Sequence, residues 1–339
     1  MSGPAPPIDA AADPALDPGV LDAAPILEFH GWSAVARHGG MAVVPWRRWY
    51  LEAMASGCQV TSDVPSGSRF PQSLVRIQRG RVGTEADLAH ACAALSPGGS
   101  LIVTGANDLG IDGWIKRVQK ACAVAPHRVH HRAKARVAVF AIDQRHPYPA
   151  PAAGSSTLSG GDPRPLTVAP GVFSGDGIDA GTAILVSHLA SVPAAGCVLD
   201  LGCGAGHLGI AALERWQSAT ALMLDADARA VACTQENLQT FVLGTRAQAQ
   251  WWDASEPVPG SPGSFDCALI NPPAHTGTTV SVGAAQQMFR RAGEAVGVGG
   301  RLVIVANRRL PYENDLSALG RCRIVREDGG FKIIEVVRE

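Results

Sequence analysis

One stretch constrains this chain more than any other. Between Cys197 and Leu213 an apolar run, an acid, a glycine-rich turn and an apolar helical segment follow one another. The turn carries Gly202, Gly204, Gly206 and Gly209. Glycines at that spacing let the backbone turn at positive φ and lie against a ligand with no Cβ in between. The helix start beyond them offers unpaired N–H groups to a negatively charged ligand group. The stretch therefore predicts a nucleotide-like cofactor site at the first strand-to-helix turn of a doubly wound, mostly parallel α/β sheet.

Gly204 to Gly209 is a literal G-x-G-x-x-G, and Asp225 follows at about the spacing of a dinucleotide-binding acid. Two features favour S-adenosylmethionine over a dinucleotide. Asp200 directly precedes the turn, as if to meet a cationic amino acid moiety rather than a pyrophosphate. Asn271-Pro272-Pro273 ends a later strand. Ligands in such sheets lie beyond the carboxyl ends of the strands, where Asp225 and Asp253 are also placed. Asp225 can accept both ribose hydroxyl protons, and Asp253, after Trp251-Trp252, can accept from the adenine amine. Any one of these acids alone reads equally well as a helix N-cap. Together with the glycine turn they read as cofactor-binding residues.

Asn271-Pro272-Pro273 has specific chemistry. The lone pair of an exocyclic amino group on a base is delocalised into the ring, so the nitrogen is a poor nucleophile. Two acceptors aimed at its two N–H protons favour a tetrahedral nitrogen and localise that pair. The Asn271 side-chain carbonyl and the Pro272 backbone carbonyl are suited to this, and the prolines restrict the turn while supplying no competing N–H. Catalysis of this kind is positioning plus electrostatics.

At 339 residues the chain is long enough for two domains. Residues 1–25, rich in Ala, Pro and Asp, read as a disordered leader. Residues 26–145 read as an α/β domain without a cofactor loop. Its strands are expected at Ala42–Val44, Leu74–Ile77, Leu101–Val103 and Val137–Ile142. A helix is expected over Thr84–Leu95, with Thr84 and Asp87 resembling a capping box, and another over Ile111–Val124. Residues 146–165, dense in Pro, Gly and Ser, read as a linker. Residues 166–339 form the cofactor-binding domain, with strands around Val198–Leu201, Ala221–Leu224, Ala247–Trp251, Cys267–Ile270 and Leu302–Val305. A closing hairpin turns at Gly329-Gly330. The stretch Gly98–Val103 with Asn107 echoes Gly299–Ile304 with Asn307, which suggests an old duplication.

Net charge is −1, so any nucleic-acid surface must be local. Trp46–Tyr50 and His130–Arg136 are the basic candidates in the first half. The eight cysteines include no C-x-x-C pair and read as reduced thiols of a cytoplasmic protein with no metal site. No apolar run reaches the length of a membrane span.

The second half resembles the bacterial small-subunit rRNA guanine-N2 methyltransferases. The matching pieces are Pro170–Ser174, Asp179-Ala180-Gly181, Leu199–Gly206, Asn271–Gly277, Val305–Tyr312 and Gly330-Phe331-Lys332. The resemblance implies two tandem Rossmann-like methyltransferase domains, the first without a cofactor loop. It also implies S-adenosylmethionine as cofactor, N2 of a guanosine in 16S rRNA as methyl acceptor, and ribosomal RNA or the small subunit as partner. Asn-Pro-Pro also serves adenine and glutamine amide nitrogens, and a SAM-binding assembly protein without catalysis is the contrasting reading. The family follows Asn-Pro-Pro with an aromatic residue that stacks on the extruded base. Here that position is Ala274, which leaves three readings: His275, Phe173 or Trp252 takes the stacking role, the substrate differs, or activity is lost.

Overall fold

The strand-and-helix alternation builds two sheets, each in its own unit, and the units part between Ala152 and Ala153. The computed structural model describes residues 13–158, 164–175, 177–273 and 279–339. In the amino-terminal unit the strands are β1 (Ile26–Phe29), β2 (Gly40–Val43), β3 (Val60–Thr61), β4 (Phe70–Arg76), β5 (Leu95–Ala106), β6 (Arg128–Arg132) and β7 (Ala135–Ala141). Their order is β3-β2-β1-β4-β5-β7-β6, parallel except around β7. Four helices connect them: α1 (Ser33–His38), α2 (Arg47–Ala55), α3 (Arg81–Ala93) and α4 (Ile111–Ala121).

The carboxy-terminal unit opens on a small antiparallel pair, β8 (Gly154–Thr157) and β9 (Pro165–Val168). The main strands follow: β10 (Cys197–Leu201), β11 (Thr220–Asp225), β12 (Ala247–Trp251), β13 (Phe265–Ile270), β14 (Val296–Asn307), β15 (Gly320–Asp328) and β16 (Phe331–Arg338). Its helices are α5 (Ala180–His188), α6 (His207–Arg215), α7 (Ala228–Thr240), α8 (Thr279–Ala295) and α9 (Glu313–Leu316). The order β12-β11-β10-β13-β14-β16-β15 repeats that of the first sheet strand for strand.

The apolar runs of β10 and β13 are covered on both faces, as buried parallel strands are. Successive side chains alternate between two cores. Val198 and Leu269 pack with Leu185, Leu208 and Leu238 of α5, α6 and α7. Leu199, Leu201, Ala268 and Ile270 pack with Phe289 of α8 and Tyr312.

Three expectations are corrected. Residues 13–25 are not a disordered leader, and residues 1–12 lie outside the described residues. Asp13 is fully buried on Arg76, and Ala15, Leu16 and Val20 join the core around Ile26 and Val35. Composition averaged over the segment hid these few anchoring side chains. Residues 146–165 are not a plain linker. Tyr148 is buried in the first unit, and β8 pairs with β9, burying Ser156 and Leu166. Thr84 does not open α3, which begins at Arg81. Thr84 lies buried in its second turn, its hydroxyl accepting from the Gln78 N–H.

Among the described residues no helix is long and apolar enough to cross a membrane. No group of three or more His, Cys, Asp or Glu among them could hold a metal ion. All eight cysteines are free.

Candidate active site

β10 ends in the glycine turn, and β11 and β13 end on either side of it. Gly202, Gly204 and Gly206 have φ of 75°, 57° and 93°, a region that disfavours side chains. The Gly202 and Cys203 N–H groups donate to the Leu224 carbonyl, which folds the turn over the end of β11. A Cβ on Gly204 would meet nothing within 4 Å and would project into open space. That space is a pocket lined by Phe173, Thr182, Gly202, Gly204, His207 and Asn271, among others. Gly209 has a different reason: a Cβ there would collide with Met223 where α6 crosses β11.

Asp200 does not reach into the pocket. Its side chain is fully buried, and Oδ2 accepts from the Gly209 N–H at 2.8 Å in the first turn of α6. Its Oδ1 has no hydrogen-bond partner among the described residues. Burial, reinforced by the nearby Asp225 charge, lifts this carboxyl to about 7. Asp200 thus braces the helix start under the turn, and the expectation that it meets a cationic group directly is corrected.

Asp225 lies beside it at the end of β11, 2% exposed. Its oxygens accept from the Gly204 and Asp227 N–H groups, and burial pushes its carboxyl up to about 6. A carboxylate has about four acceptor directions, and with the Ala226 N–H also on this one, a single direction remains for a ribose hydroxyl. Glycine backbone facing open space, with an acid of spare acceptor capacity behind it, fits an adenosyl cofactor.

Asp253 lies two residues past β12 and caps its own turn. Its Oδ1 accepts from the Ser255 N–H and hydroxyl. Trp252 is 5% exposed in the second core, and its indole N–H donates to the Pro257 carbonyl, so it has no free face for a base. Ala274 and His275 lie outside the described residues.

Asn271 follows β13 directly. Its amide nitrogen donates to the Thr182 hydroxyl at 2.8 Å and to Asp179 Oδ2 at 3.1 Å. Both amide hydrogens are thereby committed, and the carbonyl Oδ1 is the group that remains for a ligand. Asp179 is also the N-cap of α5, accepting from the Thr182 N–H. Pro272 is buried and Pro273 half-buried beside it.

Residues 164–335 match the family model of the methyltransferase small domain. A ribosomal RNA small subunit methyltransferase C from Pseudomonas aeruginosa (strain LESB58) is 30% identical over 319 residues, 88% of this chain and 91% of its own length. The enzyme of the same name from Pseudomonas putida (strain W619) is 32% identical over 255 residues, 74% of this chain and 75% of its own.

This chain belongs to the ribosomal RNA small subunit methyltransferase C family.

A solved structure shares the fold. A T. thermophilus 16S rRNA N2-guanine methyltransferase, solved with AdoMet and guanosine, superposes with a TM-score of 0.78. The superposition covers 93% of this chain and 88% of that one at 23% identity. The chain is a two-domain SAM-dependent methyltransferase.

Sequence reasoning missed the residues that hold this methyltransferase's site from behind. Thr234 of α7 donates to the Gly204 carbonyl, and Asn237 to the Ala205 carbonyl, so α7 clamps the turn. Thr182 had no signal beyond lying three residues after Asp179. His207 is buried against Ser156 at 2.6 Å, and burial lowers its pKa to about 4, so it is neutral here.

The first unit has the same frame with its cradle filled. Phe29 pairs with Val75 as Leu201 pairs with Ile270, so Arg76 stands where Asn271 stands. Glu28 holds the place of Asp200 and does the same work, accepting from the Ala34 and Val35 N–H groups at the start of α1. Its other oxygen takes the Arg76 guanidinium at 2.6 Å, and Asp13 takes the far side of that group. A Cβ on Gly31 would run into Arg76, so the space above this turn is occupied by the protein's own ion cluster.

Proposed function

We propose that the chain methylates the exocyclic N2 of a guanosine in 16S rRNA, presented as ribosomal RNA or as the small ribosomal subunit. The observation that carries this reading is the anchoring of Asn271. With both amide hydrogens held by Asp179 and Thr182, its carbonyl is left to accept from a substrate N–H, beside the pocket under the glycine turn. Bound S-adenosylmethionine supplies an electrophilic methyl group on a sulfonium.

Gly202, Gly204 and Gly206 would let the cofactor lie on the backbone. Asp225 would take a ribose hydroxyl, while Asp200 keeps the α6 terminus in place. Asp253, tied into its own turn, would border the adenine edge. Asn271 Oδ1 and the Pro272 carbonyl would accept the two N2 protons and localise the nitrogen lone pair. The N–C bond forms as the C–S bond breaks, and the surplus proton leaves the nitrogen for solvent. Pro273 stiffens the turn. Phe173, half-buried and lining the same pocket as Asn271, would offer its ring to the base. His275 follows Ala274 as a second candidate for that contact. A ribosomal substrate implies action in the cytoplasm.

The test uses labelled S-adenosylmethionine with small subunits and naked rRNA from cells lacking the gene. The protein should label one guanosine at N2, and Asn271→Ala should bind cofactor but leave the RNA unlabelled. Absence of label on both substrates, or full cellular function of the Asn271→Ala protein, overturns the reading.

A further inference from the structure

We propose that Arg308 and Arg309 grip RNA phosphates flanking the target nucleotide, an assignment that rests on RNA being the substrate. β13 and β14 are parallel with Ile270 opposite Ile304, so they deliver Asn271 and the loop after Asn307 to the same carboxyl edge of the sheet. β16 runs back with Phe331 opposite Asn307, bringing the Gly329-Gly330 turn to that edge. The Arg308 N–H donates to the Gly330 carbonyl at 2.9 Å. The next residue, Phe331, lies against Gly181, so closely that a Cβ on Gly181 would sit 3.0 Å from its ring. Gly181 in turn sits between Asp179 and Thr182, which hold Asn271. Arg308 is therefore anchored through its backbone one layer of contacts from the reacting amide. Arg309 is fixed the same way, its N–H donating to Asn307 Oδ1 at 3.0 Å.

Their side chains are the opposite of fixed. Both are exposed, and among the described residues neither guanidinium has a hydrogen-bond or ion-pair partner. Neighbouring cations are neutralised: Arg326 by Asp328, Lys332 by Glu313 and Arg229 by Asp227. Of the basic candidates of the first unit, Arg48 is tied to Glu52, Arg132 to Asp17 and Arg136 to Asp112, while Lys134 is exposed with no side-chain partner among the described residues and lies in the other unit. On a chain of net charge −1, the pair is a local positive feature at the mouth of the site. Guanidinium forks match phosphate oxygens, the repeated acceptor on RNA.

The test is methylation kinetics on rRNA across a range of salt. Each lost phosphate contact reduces the log–log salt slope by roughly 0.7–0.9. Arg308→Ala/Arg309→Ala should lower the slope by about 1.5 and raise KM for RNA roughly tenfold, with kcat and cofactor affinity unchanged. Arg308→Lys/Arg309→Lys should keep the slope. Arg321→Ala/Arg323→Ala, which removes two exposed charges from β15, should leave slope and KM as they were. An unchanged slope in the first double variant, or an equal loss in the β15 variant, overturns the assignment while a methylating parent protein leaves the function standing. A parent protein that methylates no RNA overturns both.

Discussion

Asn271 Nδ2 donates to Asp179 Oδ2 at 3.1 Å, across 92 positions of chain. The same carboxylate oxygen caps α5 through the Thr182 N–H. One acid therefore fixes a helix terminus and the orientation of the amide that would activate the methyl acceptor. Turned the other way, Asn271 would present donors to a nitrogen that itself carries hydrogens, and the activating acceptor would be lost.

Asp179→Ala is expected to lower kcat by about 10- to 100-fold, the scale of one mispositioned polar group in a reaction run by positioning. Cofactor affinity should change little. Losing the cap should cost about 1 kcal/mol in stability. Thr182→Val keeps the cap and removes one amide partner, so it should lower kcat with stability nearly unchanged, and Thr182→Ser should restore it. Single-turnover rates and thermal melts of the three variants check this. A kcat loss that follows stability alone would contradict the positioning role.

Phe173→Ala should raise KM for RNA by about 10- to 100-fold, since base stacking on an aromatic ring contributes about 1–3 kcal/mol. Phe173→Trp should retain most of the affinity. Cofactor binding measured by calorimetry serves as the control. A KM unmoved by Phe173→Ala would transfer the stacking role elsewhere.

Burial lifts the Asp200 carboxyl to about 7, against about 3.9 in an unfolded chain. Between those values the native protein binds more protons than the unfolded one, so this group's contribution to stability declines as pH rises through that window and is constant above it. His207, lowered to about 4, acts with the opposite sign between about 4 and 6.5. Asp200→Asn keeps an acceptor for the Gly209 N–H and leaves His207 in place. The stability difference between variant and parent should move in favour of the variant as pH is raised from 4 to 7, by on the order of a few kcal/mol. Urea melts at several pH values measure it, and a flat difference would show that Asp200 is ionised throughout.

Arg76→Ala leaves Asp13 and Glu28 buried without their counter-charge and should destabilise the amino-terminal unit by about 3–5 kcal/mol. Hydrogen exchange along β1 and β4 should report the loss. Calorimetry of the parent protein should find one cofactor per chain, because the first cradle is filled by that cluster. Two equivalents would refute this account of the first unit.

Much of this was legible in order along the chain. The glycine turn, the acid at the end of β11 and Asn271-Pro272-Pro273 are local signals, because tight turns and strand ends demand particular residues at fixed spacing. Those signals point to the cofactor class and to an amino nitrogen as acceptor without reference to the fold. The strands and the closing hairpin followed from apolar runs punctuated by glycine for the same reason. The sheet order decided the rest. Only when β10 lies between β11 and β13 does Asp200 become a buried brace beneath its helix rather than a ligand contact. Only when α5 crosses to the end of β13 do Asp179 and Thr182 meet Asn271. And only matching strand registers reveal Arg76 in the place of Asn271, held by Asp13 from a segment whose composition suggested disorder. A buried charge is stabilised by partners brought from distant parts of the chain, and no local pattern in the sequence records which partners those are.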